Sequence, residues 1–312
     1  MENLILSFNV VLPIFLTMSL GYVIKKLNMF NDITLDTMNK ITFKVFLPVL
    51  LFYNVYQTDL SHVFNPKLIS FAVIYVLVIF IVSCFFIPII EKDSRKRGVL
   101  VQALFRSNFV IFGIPVTQAL FGQEGTGVAS MLIAVIVPLF NFLAVFSLEI
   151  YRGGKVNLNK IFVSIITNPL IIASAIGLSF LFLSLSLPSP VEKTVNDIAK
   201  MATPMAFILL GGSFRFSAFS LYINQLFIGV LGRLVIIPTI VLSIAILFGF
   251  RDIELACLLA VFASPTAVSS FTMALQMDGD SELAGQIVVF TSALSVITVF
   301  LWIFILKQMM LI

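Results

Sequence analysis

Two short segments carry the residues best suited to chemistry. Arg106-Ser107-Asn108, followed by Gly113-Ile114-Pro115, and Ser264-Pro265-Thr266, followed by Ser269-Ser270, set polar and helix-breaking residues into apolar surroundings. A proline removes a backbone donor and clashes with the preceding turn, so in an apolar medium the freed carbonyls need partners or a water-lined cavity. A helix broken at such a point offers backbone N–H groups and a positive dipole end to an anion, while its unwound carbonyls suit a cation. The plainer alternative is a pair of kinks between packed helices. That the two segments are matched in position, Ser107 and Ser264 lying 157 residues apart, favours a shared ligand site over two unrelated kinks.

Charged residues inside apolar stretches are few and all basic: Lys44, Arg106 and Arg233. Ionisable groups at membrane depth are expensive and face a cavity or a partner, so this sign favours an anionic ligand. Arg106, two residues before Asn108, is the charged candidate for that ligand; snorkelling to the interface or pairing with a helix C-terminus is the alternative, and the expectation for Arg233 and Lys44. No Asp or Glu lies well inside any apolar stretch, which removes the carboxylates that a proton or sodium antiporter for cations uses. The one histidine, His62, falls in a connection, so neither a His-based metal site nor a Ser-His-Asp triad can be assembled. HExxH and P-loop motifs are absent, and Cys84 and Cys257 have no pairing pattern. No cofactor is expected, and no cluster of acid, base and nucleophile suggests an enzyme.

The elements that must position these residues are membrane helices. Hydrophobic residues make up 60% of the 312 and charged ones only 11%, against about 25% charged in soluble domains. Apolar runs lie at Leu4 to Ile24, Val45 to Thr58, Leu68 to Ile90, Gly98 to Gln123, Gly125 to Leu148, Ile161 to Val191, Met201 to Phe214, Phe216 to Phe250, Leu255 to Met277 and Leu283 to Leu306. These are ten candidate spans in a lipid bilayer. The first lacks the basic flank and cleavage site of a signal peptide and reads as a retained span. The second and seventh are short of the ~20 residues a span needs, so they borrow flanking polar residues or are broken.

Short loops rich in Lys and Arg mark the cytoplasmic side. Lys25 and Lys26, then Lys92, Arg95, Lys96 and Arg97, then Arg152, Lys155 and Lys160 fall on one side, so both termini of this multi-pass cell-membrane chain are expected outside. The basic residues cluster in these loops rather than along one soluble face, which argues against nucleic acid as a partner. The acidic turn Asp278 to Glu282 falls on the same side as the basic loops and dissents only weakly from the rule.

Several features recur at nearly constant offset: Pro13 with Pro169, Asn39 and Pro48 with Asn196 and Pro204, and Ala103-Leu-Phe-Arg-Ser107 with Ala260-Val-Phe-Ala-Ser264, at 156 or 157 residues. Five spans per repeat force the second copy to enter from the opposite face. The expected fold is an all-α membrane protein of ten transmembrane helices in two inverted five-helix repeats, residues 1–155 and 156–312, with spans 4 and 9 broken and crossing.

Ser107-Asn-Phe-Val-Ile-Phe-Gly-Ile-Pro115 resembles the Asn-x-x-x-x-Gly-Ile-Pro segment of the auxin efflux carrier family, which includes the plant PIN-FORMED carriers and bacterial malate and malonate permeases. Leu47-Pro-Val-Leu-Leu-Phe52, Asn141-Phe-Leu-Ala-Val145 with Leu148-Glu149, Leu209-Leu-Gly-Gly212 and Ala263-Ser-Pro-Thr-Ala267 are similar to other family patterns, so the resemblance covers essentially the whole chain. It implies a scaffold of spans 1, 2, 6 and 7, a mobile transport domain of spans 3–5 and 8–10, and elevator-type carriage of a small organic anion. It places Asn108, Pro115, Asn141 and Pro265 at the substrate site, beside Arg106, Ser264 and Thr266. The plant carriers' long central loop is reduced here to about residues 151–160. Sodium-coupled bile-acid carriers and a ligand sensor that does not transport are the alternatives. The coupling ion, proton or sodium or none, and the oligomeric state, a homodimer included, are not readable from the chain.

Overall fold

The computed structural model describes residues 2–58, 65–152 and 158–312; His62 and Lys155 lie outside them. Among the described residues the regular structure is helical, with one isolated antiparallel bridge between Ser107 and Thr266. Hydrocarbon offers the backbone no hydrogen bonds, so helices, which satisfy their own, are the form this composition dictates. The chain is an all-α membrane protein.

The helices are α1 (Glu2–Lys26), α2 (Asp32–Ile41) and α3 (Leu47–Tyr56), α4 (Pro66–Ile90), α5 (Ser94–Phe105), α6 (Phe109–Ile150), α7 (Leu158–Ile166), α8 (Pro169–Phe182), α9 (Ser189–Ser213), α10 (Ile223–Leu231) and α11 (Ile237–Leu247), α12 (Asp252–Ala263), α13 (Ser269–Gln276) and α14 (Ser281–Gln308). Among the described residues five helical runs are long and apolar enough to cross a membrane: Ile5–Lys26, Pro66–Ile90, Phe109–Ile150, Phe216–Leu247 and Ser281–Gln308. The other expected spans miss that mark for physical reasons. The second and seventh expected spans fall within the continuous helical runs Asp32 to Tyr56 and Ser189–Ser213, whose first turns are polar. Span 9 is interrupted between α12 and α13. Span 6 is shorter than its hydropathy suggests: it breaks at Asn168, ends at Phe182, and leaves Val191 to α9.

A 42-residue helix would be about 63 Å long, twice the hydrocarbon thickness. Phe109–Ile150 is two helices joined at Gly122, whose φ of 62° and ψ of −143° are not helical. A side chain there would meet nothing within 4 Å, so it is the backbone conformation that calls for glycine. Elsewhere prolines are absorbed. One π-helical turn, Thr42–Phe46, precedes Pro48, and another, Gly232–Ile236, precedes Pro238. Trp302 Nε1 donates at 3.1 Å to the carbonyl of Leu234, the group that Pro238 leaves without its helical donor.

Two clusters form the interior. The larger joins α4, α5, α6 and α10 to α12; the smaller packs Val11, Ile14 and Met18 of α1 against Ala206, Leu209 and Leu210 of α9. α1 and α9 touch backbone to backbone: a Cβ on Gly21 would lie 2.0 Å from the Ile208 oxygen, and one on Gly211 1.9 Å from the Met18 oxygen. Small residues at such crossings drive association in membranes through close packing. Phe85 and Ile89 of α4 are about three-quarters exposed, as lipid-facing side chains would be.

The acidic turn is held by the basic loops. Arg152 pairs with Asp278 at 2.7 Å, and Arg95 donates to the Asp278 and Gly279 carbonyls, so these segments share one end of the molecule.

Candidate functional site

The chain unwinds at Arg106–Asn108 and at Ser264–Val268, and the two breaks cross. Extended backbone at Arg106 (φ −92°, ψ 113°) ends α5, and at Ser264 (φ −66°, ψ 152°) it ends α12. Ser107 and Thr266 form the antiparallel bridge, with the Asn108 N–H donating to the Pro265 carbonyl at 2.7 Å. Thr266 ties the crossing further: its Oγ1 donates to the Ala103 carbonyl, and its N–H to Thr291 Oγ1. Each break thereby supplies hydrogen bonds the other lacks, which is what irregular backbone inside a membrane requires.

A cavity of about 80 Å³ lies beside the crossing. The first turns of α6 and α13 line it, through Phe109 to Ile111 and Val268 to Ser269, so the positive dipole ends of two helices border the same space. Its polar lining is Arg106, Ser107, Asn108, Asn141 and Ser269, with Asn54 of α3 and Thr203 of α9.

Arg106 is only 3% exposed. Its Nη2 donates to Asn141 Oδ1 at 2.6 Å and to Ser269 Oγ at 2.9 Å, and its Nη1 to Gln102 Oε1 and the Met273 sulfur. All four acceptors are neutral. Asn141, 2% exposed, is held by its own Nδ2 donating to the Val137 carbonyl, which fixes Oδ1 toward the guanidinium. Among the described residues the buried Nδ2 of Asn108 and Oγ of Ser107 have no hydrogen-bond partner.

Of the expected site residues, Arg106, Asn108 and Asn141 line the cavity, and Pro265 forms the crossing beside it. Ser264 and Thr266 serve the crossing through their backbone and hydroxyl groups and do not line the cavity. Pro115 stands apart from it, inside α6 and away from the break. The break before α6 contains no proline at all. Ser269, part of the second polar segment read from the sequence, also lines the cavity, while Asn54 and Thr203 are contributors not singled out there; the signal for Asn54 is an amide in an otherwise apolar run, and for Thr203 a hydroxyl beside Pro204.

Arg233, in the π turn before α11, is fully buried and does not snorkel. It pairs with helix C-termini, two of them at once. Lys44 is exposed near the middle of the Asp32 to Tyr56 run rather than at its edge. Among the described residues no three His, Cys, Asp or Glu side chains converge as a metal site would need.

A membrane transport protein family profile matches residues 6–162 and 155–303, nearly the whole chain. The chain belongs to the auxin efflux carrier family. Its relatives within this family are of similar length. An uncharacterized transporter of Methanothermobacter thermautotrophicus is 26% identical over 95% of this chain and 97% of its own. One from Methanocaldococcus jannaschii is 22% identical over 95% and 98%, and the uncharacterized transporter YfdV of Escherichia coli K12 is 22% identical over 94% and 96%. Like other auxin efflux carrier family members, the protein is a membrane transporter.

Proposed function

We propose that the protein is a secondary transporter that carries a small mono- or dicarboxylate, of the size of malate, malonate or an auxin-like acid, across the cell membrane by alternating access. The observation that carries this reading is Arg106: a buried guanidinium, bonded only to neutral groups, on the wall of a cavity bordered by two helix N-termini. A buried cation without a carboxylate is costly, and a bound anion is the partner that would offset the cost. Asn108 Nδ2 and Ser269 Oγ are placed to orient the carboxylate.

In this reading the ten spans are two inverted repeats, 1–155 and 156–312, with both termini outside. α1, α2–α3, α7–α8 and α9 form a scaffold and the remaining helices a transport domain. Asn54 and Thr203 belong to the first set, and Arg106, Asn141 and Ser269 to the second, so sliding of one set past the other would carry the anion. The ~80 Å³ space holds a few waters, less than a dicarboxylate needs, and loading requires the two sets to part.

The test is uptake of labelled malate, malonate and indole-3-acetate into proteoliposomes under imposed potential, pH or sodium gradients, with Asn108→Ala alongside. Because Asn108 Nδ2 has no hydrogen-bond partner among the described residues, removing it unmakes no side-chain hydrogen bond there, and lost flux reports on the ligand. Saturable flux of one anion, weakened in the variant, is expected. Saturable binding with no flux under any gradient would instead make the protein a sensor.

A further inference from the structure

Four of the carbonyls that the broken helices leave at the crossing already have a cation. Arg233 is completely buried, and its guanidinium donates from Nε to the Ser264 carbonyl at 2.8 Å, from Nη2 to Val261 at 2.7 Å, and from Nη1 to Leu104 at 3.0 Å and Phe105 at 3.4 Å. The first pair closes α12 and the second closes α5, so one side chain caps the C-termini of both half-helices. Among the described residues no carboxylate pairs with it. Each helix C-terminus carries roughly half a negative charge, so two of them supply about −1 against the guanidinium's +1. The planar fork fits this arrangement in a way an ammonium cannot.

We propose that Arg233 is a tethered counter-cation and positioning residue: it neutralises the paired half-helix ends, fixes the crossing that presents Asn108, and fills a seat that a free planar cation can occupy when the side chain is removed. The seat lies at the C-terminal ends of α5 and α12, where the negative dipole ends converge, whereas the anion cavity borders the N-terminal ends of α6 and α13 beyond the breaks. Arg233 therefore acts on the ligand through the crossing and not by touch. Only the flux arm of the test rests on the transporter reading.

Three variants decide it. Arg233→Lys keeps the charge with fewer donors, Arg233→Met keeps the length without charge, and Arg233→Ala opens the seat. Thermal unfolding in detergent is expected to rank wild type above Lys and Lys above Met. Guanidinium chloride at low millimolar concentration should raise the Tm of Arg233→Ala relative to equal choline chloride, leave wild type unmoved, and bring the uptake KM of the variant back toward the wild-type value. Wild-type stability in Arg233→Met, or no guanidinium response in Arg233→Ala, overturns the proposal. If Arg233→Ala does not fold, the ranking of Lys against Met decides alone. If wild type shows no flux, the Tm measurements still judge Arg233, and the two ideas fail separately.

Discussion

Replacing Arg106 by Met separates binding from folding. The substitution removes the buried charge and its two short bonds to Asn141 and Ser269, at 2.6 and 2.9 Å, while roughly keeping the length of the side chain. Leaving the Asn141 oxygen unpaired costs about 1–3 kcal/mol. Relieving an uncompensated buried charge with an apolar side chain gains about 1–4 kcal/mol. The two offset, so the ligand-free variant should unfold within a few degrees of wild type. Anion binding fares differently. Hydrogen bonds between charged groups contribute about 1.5–3 kcal/mol, so affinity should fall on the order of 10- to 150-fold. The assay is thermal unfolding with and without the transported anion. At a concentration a hundred times the wild-type Kd, the anion stabilises wild type by about 2.7 kcal/mol, and a variant bound a hundredfold more weakly by only about 0.4 kcal/mol. Arg106→Lys, a point charge without the fork, should fall between. A variant that keeps the full ligand-induced shift would show that Arg106 does not meet the anion, and one that unfolds without ligand would make the residue purely structural.

Other outcomes follow from single contacts. Gly211→Ala would push a Cβ to 1.9 Å from the Met18 oxygen, and an ordinary contact needs about 3.4 Å, so α1 and α9 must separate by about 1.5 Å; overpacking of this kind costs roughly 1–3 kcal/mol, and chemical denaturation should place this variant near the top of that range because both sides are backbone. Gly122→Ala meets no neighbour but must adopt φ 62° with ψ −143°, close to a region only glycine populates, and a loss of about 1–3 kcal/mol in the same assay is expected. Burial works to raise the pKa of Glu91, but Gln225 at 2.6 Å, the Asp93 N–H and Lys96 outweigh it and hold the carboxyl below its usual value. A folded pKa below the unfolded one contributes stability that is present above the unfolded value and lost as pH falls through the folded one. Tm measured against pH should therefore drop on acidification below about 4.5 in wild type and less steeply in Glu91→Gln.

Hydropathy and residue type made the helical membrane class and the two polar breaks readable, because partition into lipid and intolerance of bare carbonyls are properties of composition. Proline was a poorer guide than expected. Pro13, Pro88, Pro115, Pro138 and Pro204 all sit inside continuous helices, while the break at Arg106–Asn108 has none. Whether a helix breaks depends on whether partners for its freed backbone groups exist elsewhere in the fold, and those partners, the Pro265 carbonyl for the Asn108 N–H and Thr266 and Arg233 for the carbonyls, are distant in sequence. For the same reason Arg106 was legible as a charge of interest but not as the partner of Asn141 and Ser269. Asn54 and Thr203 reach the cavity only through the packing of α3 and α9, which no local pattern encodes. Span 6 was overdrawn because Leu183 to Val191 is apolar enough to pass for membrane, although the chain turns there at Ser184, whose φ is 52°.

The crossing also constrains the order of synthesis. Leu104 and Phe105 wait for Arg233, 129 and 128 residues later, and Asn108 waits for Pro265. At about 5–20 residues per second the ribosome needs roughly 6–26 s to deliver that arginine. Until then the first broken helix stands in or near the bilayer with bare carbonyls, each costing several kcal/mol in hydrocarbon. The amino-terminal part of this chain is thus an obligate intermediate, kept at the interface or shielded during insertion, and the polypeptide commits to its final membrane arrangement only when the later helices emerge to close the first.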